Sequence, residues 1–154
     1  MKFRPFALNF FVFCKIPSAY LSGVRVKAVS KERVVVTVRH RWINQNPFKS
    51  MYWATQGMAS ELATGILLMQ EIAASGEKIS LLVTEQKGTF KKKAKGTITF
   101  SADKTPALCK GLQKTITTGE GQQVVLHAEG IDESGAVVSV FEYQWSVKRK
   151  AQVP

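Results

Sequence analysis

The chain is short of acids, cysteines and histidines, and it has no long apolar run. Each shortage closes off a class of function. The two cysteines, Cys14 and Cys109, lie far apart in sequence. They form neither a metal-ligand spacing nor a disulfide framework, and both are expected as reduced thiols of a cytoplasmic protein. His40 and His127 have no second ligand at metal spacing, so no metal site is expected. No window approaches the roughly 20 consecutive apolar residues that a bilayer crossing requires, and no membrane span is expected. A Gly-x-Ser-x-Gly turn is absent, and nothing around Cys109 marks a nucleophile. Asp and Glu number 11 against 22 Lys and Arg, for a net charge of +11. That excess attracts anions in general. No RNA or DNA module is recognisable and the aromatics do not interleave with the basic run, so nucleic acid is not expected as a partner.

What is present is enough for one core. The chain has 154 residues, 45% of them hydrophobic, which predicts a single domain over 1–154. Residues 1–20 read as an N-terminal helical extension and 149–154 as a frayed tail. The apolar stretch from Phe6 to Phe13 is short, contains Asn9 and lacks a small-residue cleavage site. It reads as a helix covering one end of the core. From Leu21 to Ser30, Val24, Val26 and Ala28 alternate with Arg25 and Lys27, the period of a half-buried strand. Arg33 to Trp42 is a second strand. Asn44-Gln45-Asn46-Pro47 breaks the pattern and Ser50 is placed to cap a helix.

From Met51 to about Ala74 nothing stops that helix. Met58, Leu62, Ile66 and Met69 recur at spacings of three and four, and Ala54, Gly57, Ala59, Ser60, Ala63 and Gly65 are small. A helix apolar nearly all round is a buried one, and Ser75-Gly76 ends it. Strands follow at Ile79 to Phe90, Lys95 to Ser101, Gln122 to Ile131 and Ala136 to Lys148. Thr105 to Thr118 is either a short helix or an irregular excursion. Phe141, Tyr143 and Trp145 share one face of the last strand. Runs of strands around one helix predict an α+β fold with an antiparallel sheet.

Between Met51 and Gln70 the only charged side chain is Glu61. A carboxylate among apolar neighbours is costly unless it is paired, and its pKa tends to rise. Three readings follow: an ion pair with Arg39, His40 or Arg41, exposure on one thin stripe, or a functional carboxylate at a cleft.

The stretch from Asn46 to Ala54, followed by Gly57 to Gly65, resembles the signature of hotdog-fold thioesterases, especially the phenylacetate-pathway type and an uncharacterised branch near it. In that family an Asn precedes a His by six residues, two glycines follow the His, and an Asp or Glu lies nine residues past it. Asn46 matches the Asn and Glu61 the carboxylate. Tyr52 falls at the His, and Trp53 and Ala54 fall at the glycines. The resemblance covers Leu21 to Lys148. It implies the hotdog fold, an antiparallel sheet wrapped around one long central helix. It also implies subunits paired edge to edge, as a homodimer or tetramer, with sites at the interface.

For activity it implies hydrolysis of an acyl-CoA thioester, with coenzyme A present only as part of the substrate. Glu61 would be general base or nucleophile, Asn46 would orient water or carbonyl, and the Trp53–Ala54 backbone N–H groups would hold the oxyanion. Tyr52 offers one hydrogen bond but cannot replace a histidine base. Packing of the first helical turn is the other role open to Tyr52 and Trp53. Because the His-Gly-Gly side chains are missing, a module that binds an acyl group or acyl-CoA without cleaving it is the alternative function. Lys91, Lys92 and Lys93, crowded by Lys87 and Lys95, read either as a mouth for coenzyme A phosphates or as a solvated cluster guarding a strand edge.

Overall fold

A computed structural model describes residues 3–150. Valine alternation builds its first hairpin. Strand β1 (Arg25–Val29) pairs antiparallel with β2 (Arg33–Arg39). Val34, Val36 and Val38 are buried while Arg33 and Arg39 stay in water. Ahead of the hairpin stand two helices, α1 (Pro5–Lys15) and α2 (Pro17–Leu21), each opened by a proline whose missing N–H costs nothing there. Asn9 on α1 accepts from the Val26 N–H and donates to the Val26 carbonyl, both at 2.9 Å. One side chain thus occupies backbone groups on the outer edge of β1.

Helix α3 (Trp53–Ser75) is 23 residues long and ends at Gly76, whose φ of 73° is the left-handed cap that glycine adopts without strain. It starts two residues later than Met51. The Met51 N–H is drawn away to the Ala94 carbonyl at 2.9 Å, and Met51 bridges Gln45. Ser50 does not cap the helix, because its hydroxyl turns to Asn46 at 3.1 Å; Tyr52 is the N-cap and supplies no side-chain bond.

After α3 come β3 (Ile79–Phe90), β4 (Thr97–Asp103), α4 (Pro106–Thr118), β5 (Gln122–Ile131) and β6 (Val137–Arg149). β4 lies two residues later than the sequence pattern predicts, because the chain first turns at Gly96, with φ 70°. The segment after it is a true helix. The Thr105 hydroxyl caps the Leu108 N–H at 3.2 Å, Pro106 opens it, and Leu108 and Leu112 are buried. β6 runs one residue into the expected tail. Arg149 pairs with Ile79, and its Nη2 lies 2.9 Å from Glu77 Oε2. The Lys150 N–H donates to the Lys78 carbonyl at 2.8 Å, and residues 151–154 of that tail lie outside the described residues.

The six strands form one antiparallel sheet in the order β1-β2-β4-β5-β6-β3. Small residues on α3 let the sheet close in. Ala59, Ser60, Ala63 and Thr64 are buried, and a Cβ at Gly65 would stand 3.4 Å from the Trp145 ring. Phe141, Tyr143 and Trp145 do share the core face of β6, and Phe100 and Phe141 are fully buried. Truncating either phenylalanine to alanine should cost about 3–5 kcal/mol. Among the described residues no helix is long and apolar enough to cross a membrane.

Candidate active site

The loop into α3 and the turn after β3 enclose an open cavity of about 500 Å³. Asn46, Tyr52, Trp53, Gln56, Phe90 and Lys91 to Lys93 line it. The structure therefore gathers most of the residues singled out in sequence. It also shows what each is free to do. The Asn46 carbonyl oxygen accepts from the Phe48 N–H at 3.0 Å and the Ser50 N–H at 3.2 Å, and its amide donates to Ser50 Oγ at 3.1 Å and the Met51 carbonyl at 3.5 Å. Those bonds clamp a tight loop in which Lys49 takes φ 58°, a conformation costing about 1–2 kcal/mol for a non-glycine residue. Asn46 is a scaffold for the helix start, with its polar atoms already engaged.

The first turn of α3 is open. The Thr55 and Gln56 N–H groups reach back to the Tyr52 carbonyl at 3.1 and 3.4 Å. Among the described residues, the Trp53 and Ala54 N–H groups have no acceptor outside the helix, and at the first two helical positions none exists within it. Two donors at the positive end of a 23-residue helix thus remain available to an oxygen. Tyr52 and Trp53, about half exposed, stand at the mouth with ring centroids 5.9 Å apart. Of the lysines, Lys92 is taken up by Asp132 at 2.6 Å, and this holds the Asp132 carboxyl well below the usual range. Lys93 reaches the Phe48 carbonyl at 3.5 Å, and Lys91 has no side-chain partner among the described residues.

Glu61 lies elsewhere. It borders a second, apolar cavity of about 230 Å³, walled by Phe11, Ile16, Met58, Leu62, Ile66 and Trp145. Glu61 is exposed to water on one side, yet the apolar groups around the carboxyl push its pKa above the ordinary glutamate value. Among the described residues it has no ion pair or side-chain hydrogen bond, so the pairing with Arg39, His40 or Arg41 is not formed. Beneath it runs a buried polar row. The Tyr143 hydroxyl sits 2.7 Å from Ser60 Oγ and donates to the Gly57 carbonyl at 3.0 Å, and burial raises the Tyr143 pKa. Trp145 Nε1 donates to Thr64 Oγ1 at 3.2 Å.

Eight residues separate Trp53 from Glu61, about 12 Å along a helix axis. A single carbonyl cannot touch both. Ala54 is half-buried and does not line the first cavity. His40 lines neither cavity, and His127 pairs with Glu142 at 2.9 Å on the open face of the sheet. Gln56 escaped the sequence reading. It is buried at the first cavity, and its carbonyl accepts from Ser139 Oγ at 2.8 Å. The signal was a polar side chain inside an apolar helix, the same signal that marked Glu61.

The family described as a domain of unknown function, DUF4442, matches residues 8–147. No curated protein matches the chain. A protein of unknown function from Pseudomonas aeruginosa, described as a probable thioesterase, superposes with a TM-score of 0.82 at 21% identity, covering 96% of this chain and 97% of that one. A protein of unknown function from Chlorobaculum tepidum gives 0.81 at 13% identity, over 94% and 93%. A mutant of a thioesterase enzyme from Staphylococcus aureus gives 0.67 at 13% identity, over 86% and 98%. At such identities the likeness carries the fold, which is the hotdog fold that the sequence resemblance implied.

Proposed function

The chain belongs to the DUF4442 family, and from that footing we propose that it hydrolyses an acyl-CoA thioester at a site shared by two copies. The observation that carries this reading is the solitary Glu61. Among the described residues it is an unpaired carboxylate, with a raised pKa, on the wall of an apolar cavity. A base whose pKa rises toward the working pH is better matched to activating water. The thioester oxygen would accept from the Trp53 and Ala54 N–H groups, and Lys91 and Lys93 would meet the coenzyme A phosphates. Water held by Glu61 attacks the carbonyl carbon as its proton passes to the carboxylate. The C–S bond then breaks, and that proton goes to the departing thiolate. No resident cofactor is needed.

The rise of about 12 Å along α3 between these donors and Glu61 favours a Glu61 supplied by a second copy. The two edges of the sheet favour such a pair. β1 is occupied by Asn9, whereas β3 presents 12 residues with an outer edge free to pair. Exposed Leu82 lies on that strand. Two exposed, free thiols fit the reducing cytoplasm that we propose as its compartment.

A second reading keeps the cavities and drops the chemistry. It is favoured by Tyr52 and Trp53, which crowd the mouth without supplying a base. A panel of acyl-CoAs assayed for free thiol separates the two. Release by the wild-type chain and none by Glu61→Gln supports hydrolysis. Saturable binding without release by either chain supports a carrier. Equal release by both removes Glu61 from the mechanism.

A further inference from the structure

Helix α1 carries more apolar surface than the fold uses. Leu8 and Val12 face inward and are buried, and Asn9 is held on β1. On the other side Phe6, Phe10 and Phe13 recur at spacings of four and three, which puts their rings in one stripe. They are 87%, 64% and 52% exposed, leaving roughly 400 Å² of aromatic surface in water. The largest apolar patch on a monomer is commonly of this size and is often functional.

One cation is fixed beside the stripe, and others lie at the ends of its helix and on β1. Phe13 meets Tyr20 edge to face with centroids 5.1 Å apart, and the Arg25 guanidinium lies 3.5 Å from the Tyr20 centroid. Arg25 Nη1 also donates to the Tyr20 and Val24 carbonyls at 2.7 and 2.8 Å, so this charge is fixed beside the rings. Arg4 precedes the helix, Lys15 ends it and Lys27 sits on neighbouring β1, all exposed. Residues 1–50 hold ten of the 22 Lys and Arg but only one of the 11 Asp and Glu.

We propose that α1 docks the protein in the plane of an anionic membrane surface. Phe6, Phe10 and Phe13 enter the boundary between headgroups and acyl chains, Arg25 beside them meets lipid phosphate, and Arg4, Lys15 and Lys27 add longer-range attraction to the anionic surface. Neither signal holds a protein on a bilayer well alone, but aromatic insertion and basic attraction together do. A second copy is a poor occupant of this face. A stable dimer buries about 800 Å² on each partner, about twice what the stripe offers. Stacking α1 on α1 would also bring two basic surfaces together. Nucleic acid would neutralise the cations but leave the rings in water.

Flotation of the full chain with vesicles tests this. The chain should float with phosphatidylcholine–phosphatidylglycerol vesicles, stay behind with phosphatidylcholine alone, and be released as salt approaches about 1 M. The triple variant Phe6→Ser, Phe10→Ser, Phe13→Ser should lose at least about tenfold in partitioning. The separate variant Arg4→Glu, Lys15→Glu should lose at least about tenfold too. Unchanged thermal melts would show that both variants fold. The proposal is overturned if the wild-type chain does not float with mixed vesicles, or if the folded triple variant floats as well as wild type. It is equally overturned if neither chain binds vesicles while the triple variant dissociates an oligomer in light scattering, or while both shift RNA in a gel.

Discussion

The cavities at the first turn and at the middle of α3 differ in almost everything but the helix they share. The one at its first turn is open and rimmed by lysines, and it offers backbone donors to a negative oxygen. The one at mid-helix is narrower and greasy, and it holds an unpaired carboxylate. The first suits the charged head of a thioester and its carbonyl; the second sets an unpaired base beside apolar surface. A straight helix keeps them about 12 Å apart in one chain. Under the proposed chemistry neither cavity is a site alone, and that chemistry calls for a second copy.

The sharpest break is Glu61→Gln, which should lower thiol release about 10²–10⁴-fold in a stopped thiol assay. Next comes a mixing experiment. Ala54→Pro removes one backbone donor at a helical position where proline fits. Alone, each of the two variants should be nearly inactive. Mixed and allowed to exchange subunits, they should recover roughly a quarter of wild-type activity, because half the dimers then carry one intact site. No recovery would mean that the two cavities do not cooperate across copies.

The carboxylate should also show itself in stability. Burial raises the Glu61 pKa in the folded chain, so its contribution is fully present below the unfolded glutamate value and is lost as pH rises through the folded one. Glu61→Gln should therefore melt slightly higher than wild type at neutral pH, with the difference vanishing below about pH 4. Melts run at both pH values check this. The smallest effects belong to the rim. Lys91→Ala should raise KM for acyl-CoA several-fold and leave a pantetheine thioester unaffected. Lys92→Ala should do less, because Asp132 already holds that charge.

Glu61 could be picked out by sequence because a lone charge in an apolar helix is anomalous wherever it points. Asn46 was legible only in part. Its position before the helix was visible, but that loop atoms consume its amide was not. The late start of α3 escaped for a similar reason. Ser50 is a good cap locally, and a bond from Met51 to Ala94, more than 40 residues on, overrode it. Gln56 went unread because a buried amide needs a partner, and Ser139 lies on the last strand.

The sequence by itself determined the α+β architecture, the long buried helix and the strand boundaries to within a few residues. Periodicity, turn residues and side-chain size act locally and survive in one dimension. Only the tertiary structure decided that the carboxylate is unpaired, that the candidate residues fall into two cavities, and that β1 is occupied while β3 is open. Those facts depend on distances between groups far apart in the chain. Such distances are set when the sheet packs on α3 and when α1 settles on β1, and no local pattern encodes them.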